Sequence, residues 1–131
     1  MSDVRVLLVD DETDLIEIVQ ERLHLRGIDA AVSNSGQDAL ARLRKCTFNV
    51  VVVDVRMPNM SGLDLLSRIR EICPKTQVIL LTGRGSAFED DGSIPLGAFD
   101  CLIKPVNIDD LIQKMQEALN APELGTSGGG E

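Results

Sequence analysis

Four valines occupy positions 50–53 and are followed directly by Asp54. An ionised carboxylate leaves water only at a large free-energy cost, so an acid beside such an apolar run needs a route to solvent or to a cation. The carboxyl end of a buried strand offers that route, because ligands of open parallel sheets bind just outside the strand ends. The pattern therefore predicts a buried strand whose last residue, Asp54, faces a binding site.

Two other apolar runs end in polar residues in the same way. Residues 4–9 precede Asp10 and Asp11, and residues 77–81 precede Thr82. Segments with helical periodicity separate these runs, and continuous apolar strands between amphipathic helices are typical of a parallel sheet covered on both faces. The sequence therefore predicts an α/β fold in which these polar groups meet at one edge of the sheet.

The remaining elements are predicted from caps and helix breakers. A helix over residues 14–26 carries Leu15, Val19 and Leu23 at four-residue spacing and is expected to end at Gly27. Further helices are predicted over residues 37–44 after the cap Ser35, after the cap Ser61 and after the cap Asn107, and further strands over residues 28–32 and 99–103. Lys104 follows the last of these strands directly.

One segment breaks this alternation of strands and helices. A helix is expected at about residues 86–96, yet Gly92 and Pro95 lie inside it. In a helix interior these residue types cost roughly 1 and 3 kcal/mol relative to alanine. We therefore predict that the fourth helix is short or irregular, with at most one turn after Ser86.

The composition argues against several classes of partner. The chain has 131 residues and a formal net charge of −8, and its only aromatic residues are three phenylalanines. Nucleic acid and anionic membranes are therefore poor partners for this domain, since both attract basic surfaces. No stretch approaches the roughly 20 apolar residues of a membrane span, and no signal-peptide pattern precedes Val4, so a cytoplasmic location is expected.

The chain is long enough for one domain with its own core. We assign residues 1–120 to that domain and residues 121–131, which include a glycine-rich stretch, to a flexible tail or a truncated linker. Cys46, Cys73 and Cys101 are odd in number, lack the spacing of metal ligands and lie in or near apolar segments. They are predicted to be buried, reduced thiols.

The groups predicted at the sheet edge suit one kind of chemistry. Asp10, Asp11 and Asp54 would bring as many as three negative charges together, which a hard cation such as Mg²⁺ would neutralise through oxygen ligands. Lys104 adds a compact cation and Thr82 a hydroxyl donor, and both suit the oxygens of a phosphoryl group. Since an aspartate can hold phosphorus as an acyl phosphate, these residues favour Mg²⁺-assisted phosphoryl transfer onto an aspartate.

Each of these residues also has a purely structural explanation. Asp10 and Asp11 could cap the first helix, Thr82 could simply end a strand, and Lys104 could be a solvated surface residue. The phosphoryl-transfer hypothesis is favoured because it alone requires all of these groups at successive strand ends.

Four motifs resemble the receiver domain of bacterial two-component response regulators, with a fold similar to that of the chemotaxis response regulator. They are LLVDDE at residues 7–12, DVRMPNMSG at residues 54–62, ILLTGRG at residues 79–85 and LGAFDCLIKP at residues 96–105. The resemblance covers about residues 3–120. It implies a doubly wound, flavodoxin-like sheet of five parallel strands in the order 2-1-3-4-5, with five helices on its two faces.

The resemblance also implies roles for individual residues. Asp54 would be the phosphoacceptor, and Mg²⁺ would be bound by Asp11, Asp54 and the backbone carbonyl of Arg56, with Asp10 acting through water. Thr82 would be the switch hydroxyl and Lys104 the partner of the phosphoryl group, with a cis peptide bond before the proline that follows it. The phosphodonor would be a phosphohistidine on a sensor histidine kinase or a histidine phosphotransfer protein, docking near the first helix, and a downstream effector or output domain would receive the signal.

Two departures from the family pattern affect the output side. Cys101 stands where the family usually has a tyrosine or phenylalanine, three residues before the lysine. Phe99 is two residues away and is expected on the same face of the predicted strand, but it matches a different position of the family pattern. The second departure is the predicted short or irregular fourth helix. In the family, the fourth helix normally forms part of the surface that reports phosphorylation. Arg56 and Arg84 flank the site at positions that the family uses to tune the lifetime of the phosphoryl group.

The leading hypothesis is therefore a phosphorylatable signalling switch that has no external substrate and is not an enzyme in that sense. One alternative is an interaction module that is independent of phosphorylation and retains a vestigial site. Another is a phosphatase of the haloacid-dehalogenase type with Asp10 as its nucleophile, although that hypothesis leaves Asp54 unexplained.

Overall fold

The computed structural model describes residues 4–83, 95 and 97–121. Its strands are β1 (Val6–Val9), β2 (Ala30–Ser33), β3 (Val50–Asp54), β4 (Gln77–Thr82) and β5 (Asp100–Ile103). All neighbouring strands are parallel, and their order in the sheet is β2-β1-β3-β4-β5. The predicted fold class and strand order are confirmed.

The described helices are α1 (Thr13–Leu25), α2 (Gly36–Lys45), α3 (Gly62–Ile72) and α4 (Ile108–Asn120). The side chains of Ser35 and Ser61 each accept a hydrogen bond from a backbone N–H three residues on, and the side chain of Asn107 accepts from the backbone N–H groups of Asp109 and Asp110. These bonds satisfy N–H groups that have no partner within the helix, so the three predicted caps are confirmed.

Gly27 ends α1 as the sequence predicts. Its φ of +84° lies in the left-handed region, which a side chain disfavours. The Gly27 N–H donates to the carbonyl of His24 at 3.0 Å, and the Ile28 N–H donates to the carbonyl of Leu23 at 2.9 Å. This pair of bonds is a Schellman motif, which turns the chain sharply back toward β2.

The core lies on both faces of the sheet, because alternate residues of a strand point to opposite sides. In β1, Leu7 and Val9 pack in the cluster beneath α2 and α3, whereas Val6 and Leu8 pack in the cluster beneath α1 and α4. All four side chains are at most 1% exposed. Burying an aliphatic side chain of this kind stabilises a fold by about 1.5–3 kcal/mol, so the central strands anchor the edge where the polar groups lie.

The buried face of α1 differs from the face that the sequence spacing picks out. Ile16 and Leu23 are buried, whereas Leu15 and Ile18 are 50% and 47% exposed and Val19 is half-buried. Leu15 and Ile16 are adjacent and both apolar, so periodicity alone cannot decide which of them faces the sheet. Packing against β1 and α4 decides it, and leaves two large apolar side chains on the outer face of α1.

The three cysteines are free, as predicted, but they are half-buried rather than fully buried. Cys46 and Cys73 lie at the C-terminal caps of α2 and α3, and Cys101 lies in the edge strand β5. All three contact the margin of the core rather than its centre because their elements end, or the sheet ends, at these positions.

Two predictions fall on residues that lie largely outside the described part of the chain. The first is the short or irregular helix predicted at about residues 86–96, between β4 and β5, of which Pro95 alone is described. The second is the tail of residues 121–131, which is described only at Ala121. Within the described ranges, no helix is both long enough and apolar enough to cross a membrane.

Candidate functional site

Four of the predicted site residues meet at the carboxyl edge of the sheet. Asp54 and Thr82 are the last residues of β3 and β4, and Asp10 and Lys104 directly follow β1 and β5. The side chains of Asp10, Asp54 and Thr82 are buried, with exposures of 2%, 5% and 2%. The parallel register brings these groups together, although they are far apart in the sequence.

The ammonium group of Lys104 lies among three carboxylates. Its Nζ is 3.2 Å from Oδ2 of Asp10, 3.2 Å from Oε1 of Glu12 and 3.3 Å from Oδ2 of Asp54. Hydrogen bonds between ionised partners are stronger than neutral ones, and this one ammonium donates toward all three acids. Lys104 is therefore the central cation of the site.

The carboxylates are arranged as a cation-binding group. One oxygen from each of Asp10, Glu12 and Asp54 lies within 4.8 Å of the others. A donor set made only of carboxylate oxygens suits Mg²⁺ and offers nothing to metals that prefer nitrogen or sulfur. The position of the Lys104 ammonium among these oxygens shows that they already accommodate a cation, so the residues fit the predicted ion.

Two of the predicted metal ligands lie at the margin of this group. The side chain of Asp11 is exposed and is not one of the three clustered acids. The backbone N–H of Arg56 donates to Oδ1 of Asp54 at 3.2 Å, which places the Arg56 backbone beside the carboxylate. The roles of Asp11 and of the Arg56 carbonyl as ligands remain predictions.

Burial and neighbouring charges shift the protonation of the site. Burial, together with the charge of Asp10, raises the pKa of Asp54 despite the opposing effects of the Arg56 N–H and of Lys104. Burial lowers the pKa of Lys104, but the charges of Asp10 and Asp54 and the hydrogen bonds to Asp10 and Glu12 outweigh it, so that pKa is raised overall. The ammonium is therefore held in its charged form beside the acids.

Close backbone packing fixes the position of Asp54. The Val55 N–H donates to the carbonyl of Leu81 at 2.9 Å, and the Gly62 N–H donates to the carbonyl of Val55 at 2.8 Å. A Cβ at position 62 would lie only 2.5 Å from the backbone oxygen of Asp54. Glycine is required here because the start of α3 passes directly against the backbone at the end of β3.

Lys104 is positioned by the chain on both sides of it. Its backbone N–H donates to the carbonyl of Thr82 at 2.7 Å, which continues the pairing of β5 with β4. The Lys104–Pro105 peptide bond is cis, as the resemblance implied. The lysine side chain is 24% exposed and reaches back over the sheet edge to the acids.

The half-buried Cys101 is paired in register with Leu80 of β4 and packs against the core cluster beneath α3. Burial, with a smaller effect from the charge of Asp100, raises the pKa of its thiol to about 11.

Phe99, which was expected on the same strand, precedes the first residue of β5 and is half-buried. Arg84, the second predicted flanking arginine, lies outside the described residues.

Glu12 is the site residue that sequence reasoning missed. It is the third acid of the run Asp10-Asp11-Glu12, and the structure places it, rather than Asp11, beside Lys104. The sequence carries no signal for this, because the predicted helix begins at residue 14 and would be preceded by Thr13, whereas α1 begins at Thr13 and Glu12 is at its N-cap.

A cavity of about 260 Å³ opens beside Asp10 and Lys104, between α1 and the segment that follows β5. Its walls include the exposed apolar side chains of Leu15 and Ile18 from α1, together with Lys104 and Pro105. The cavity therefore connects the apolar outer face of α1 with the charged edge of the sheet.

Comparison with known proteins gives one consistent family. The model of the response regulator receiver domain matches residues 6–116. The transcriptional regulatory protein TrcR of Mycobacterium tuberculosis is 36% identical over 118 residues, which are 90% of this chain and 46% of TrcR. This chain thus spans about half the length of that relative.

Solved structures give the same result. A response regulator receiver domain protein of Clostridium thermocellum is 31% identical with a TM-score of 0.82, over 89% of this chain and 94% of that one. The response regulator TrrA of Thermotoga maritima, solved in complex with Mg²⁺-BeF, is 30% identical with a TM-score of 0.77, over 88% and 99% of the two chains.

Proposed function

We propose that this chain, which belongs to the response regulator receiver domain family, accepts a phosphoryl group on Asp54 in a Mg²⁺-dependent reaction. The observation that carries the proposal is the position of the Asp54 carboxylate. It is buried at the end of β3, 3.3 Å from the Lys104 ammonium and within 4.8 Å of two other acids. A nucleophile, a fixed cation and an oxygen ligand set therefore share one site.

In the proposed reaction, a carboxylate oxygen of Asp54 attacks the phosphorus of a phosphohistidine. The phosphorus–nitrogen bond breaks, the nitrogen keeps its electron pair, and an acyl phosphate remains on Asp54. Bound Mg²⁺ would supply charge neutralisation for the acids and the phosphoryl oxygens. Asp10, Asp11, Asp54 and the Arg56 carbonyl would hold it, with Asp10 acting through water.

Lys104 and Thr82 would stabilise the product. The ammonium of Lys104 is preorganised beside the Asp54 oxygen, and from there it can pair with a phosphoryl oxygen. Thr82 ends the neighbouring strand, one residue beyond Leu81, which is paired with Asp54. Movement of the Thr82 hydroxyl and Lys104 toward the phosphoryl group would shift the domain between two states.

The phosphodonor would be a sensor histidine kinase or a histidine phosphotransfer protein. The cavity beside α1 supports this proposal, because Leu15 and Ile18 form an exposed apolar wall of a cavity that Asp10 and Lys104 also line. A helical partner could pack on that wall and present a phosphohistidine to Asp54. We place the reaction in the cytoplasm, with a downstream effector or an output domain as the receiver of the signal and with no external substrate to turn over.

Intact-mass spectrometry with a small-molecule phosphodonor tests the proposal. The wild-type chain should gain the mass of one phosphoryl group when Mg²⁺ is present, and EDTA should abolish the gain. Asp54→Asn should gain nothing, whereas Asp64→Asn, the same change at an exposed acid on α3, should behave like wild type. A wild-type chain that binds Mg²⁺ but is never phosphorylated would contradict the proposal.

One observation favours a second function. Cys101 lacks the ring that couples phosphorylation to output in the resembled pattern, which is compatible with an interaction module that does not depend on phosphorylation. That function predicts that Asp54→Asn binds a partner as tightly as wild type does. The haloacid-dehalogenase alternative has no such support, because the family match is to receiver domains.

A further inference from the structure

Glu12 occupies the N-cap position of α1 but does not act as a cap. Its backbone carbonyl accepts the N–H of Ile16 at 3.1 Å, which begins the helix, while its side chain makes no capping hydrogen bond. Glutamate is a poor N-cap, and a residue with a shorter polar side chain would stabilise the helix start better. The local rule is broken here, which often marks a functional position.

The side chain of Glu12 instead reaches across the sheet edge to Lys104. Its Oε1 lies 3.2 Å from Nζ of that lysine, 92 positions later in the chain. Asp10 holds the Glu12 backbone in place, because Oδ1 of Asp10 accepts the Glu12 backbone N–H at 3.0 Å. The side chain of Glu12 is 55% exposed, whereas those of Asp10 and Asp54 are nearly inaccessible.

The three acids around Lys104 therefore differ in kind. Asp54 is the proposed phosphoacceptor, and Asp10 is a buried acid of the proposed ion site. Glu12 belongs to the same acidic cluster but is not among the proposed ligands of the ion, and it contacts Lys104 from the solvent side. A phosphoryl group on Asp54 would compete with Glu12 for the same ammonium, because both are anions within reach of it.

We propose that Glu12 is a positioning residue that holds Lys104 in the unphosphorylated state and opposes its transfer to the phosphoryl group. The inference rests on the proposed function of Asp54 and deepens it by naming an element of its regulation. Loss of the Glu12 charge should favour the phosphorylated state in two ways that act in the same direction. Lys104 is released, and the repulsion between Glu12 and the incoming anion disappears.

Beryllofluoride, a stable mimic of an aspartyl phosphoryl group, provides the test. Its affinity is measured by isothermal titration calorimetry at saturating Mg²⁺, since the chain has no tryptophan or tyrosine to report binding by fluorescence. Glu12→Gln should bind about twofold to fivefold more tightly than wild type, the range expected for an exposed ion pair. Glu17→Gln, the same charge change at an exposed position of α1, should bind like wild type.

A double-mutant cycle separates the two causes. If Glu12 acts through Lys104 as well as by repulsion, the effect of Glu12→Gln should be clearly smaller in a Lys104→Met background than in wild type. An effect of full size in that background would show direct repulsion of the anion and overturn the positioning role. Equal affinity of Glu12→Gln and wild type would overturn it as well.

A measurement without Mg²⁺ or beryllofluoride tests the contact itself. The ¹⁵N signal of the Lys104 ammonium reports how fast its protons exchange with water. Glu12→Gln should speed that exchange several-fold, and Glu17→Gln should not; unchanged exchange in Glu12→Gln would contradict the contact. Failure of wild type to bind beryllofluoride would instead overturn the proposed function. The proposed competition between Glu12 and the phosphoryl group for Lys104 would then be overturned as well.

Discussion

The ammonium nitrogen of Lys104 lies 3.3 Å from Oδ2 of Asp54, although 50 positions separate the two residues in the chain. The same nitrogen lies 3.2 Å from Oδ2 of Asp10. The lysine therefore occupies the region between the two buried acids, where a divalent cation would also be attracted. This relationship makes the lysine, the ion and the protonation of Asp54 interdependent.

Lys104→Met should tighten the binding of Mg²⁺ in the absence of any phosphodonor. The ammonium competes with the ion for the same carboxylate oxygens, and its removal leaves their negative charge to the ion. We expect an increase of about threefold to tenfold by isothermal titration calorimetry, since each partly exposed pair contributes modestly. Lys114→Met, which loses contacts to Asp100 and Glu117 instead, serves as the control. Equal or weaker binding by Lys104→Met would argue against competition.

Asp54→Asn should raise the melting temperature of the ion-free protein by a few degrees at neutral pH. Burial and the charge of Asp10 raise the pKa of Asp54 above its unfolded value, so the folded state resists the ionised form. Between the unfolded pKa and the raised pKa, the folded state binds more protons, and stability falls as the pH rises. The advantage of the variant should therefore shrink as the pH is lowered through the raised pKa of Asp54.

Circular dichroism melts of wild type, Asp54→Asn and Asp64→Asn over a range of pH provide the measurement. Asp64 is exposed, so its substitution controls for the loss of one negative charge. A constant difference between wild type and Asp54→Asn at every pH would refute the role of Asp54 ionisation.

Gly62→Ala should destabilise the fold and disturb the site together. The added Cβ would lie 2.5 Å from the backbone oxygen of Asp54 and 2.7 Å from Cα of Val55, so the start of α3 must move. Overpacking of this kind costs about 1–3 kcal/mol, which urea denaturation would detect. Gly83→Ala is the matched control for stability, because its Cβ would meet no atom of the described residues within 4 Å. Equal stability of the two variants would disprove the close approach.

Ile18→Ala should slow phosphoryl transfer from a histidine kinase or phosphotransfer protein without slowing phosphorylation by a small-molecule donor. Ile18 is 47% exposed and lines the cavity beside the acids, so its truncation removes partner contact and little core packing. We expect a loss of about fivefold or more, which corresponds to the roughly 1 kcal/mol that a significant interface residue contributes. Leu25→Ala, at a 76% exposed position at the far end of α1, should transfer normally. Parallel losses with both kinds of donor would locate the defect in the site rather than in docking.

The sequence alone determined the strands, three of the four described helix N-caps and most of the chemistry-bearing groups. The valines before Asp54 have no alternative to burial, and Ser61 and Gly27 dictate where helices begin and end through local hydrogen bonds and backbone angles. The parallel sheet then brought Asp10, Asp54 and Lys104 to one edge, as predicted. These features depend on periodicity and on the conformation of a few adjacent residues, which are written directly in the sequence.

Only the tertiary structure decided which neighbouring residue takes each place. Glu12 rather than Asp11 reaches Lys104, and Ile16 rather than Leu15 faces the sheet. In each case two adjacent residues of similar character are available, and the sequence pattern does not distinguish them. The choice depends on how α1 is rotated against β1 and α4, and on where the distant Lys104 arrives. Such contacts exist only once the whole sheet is assembled.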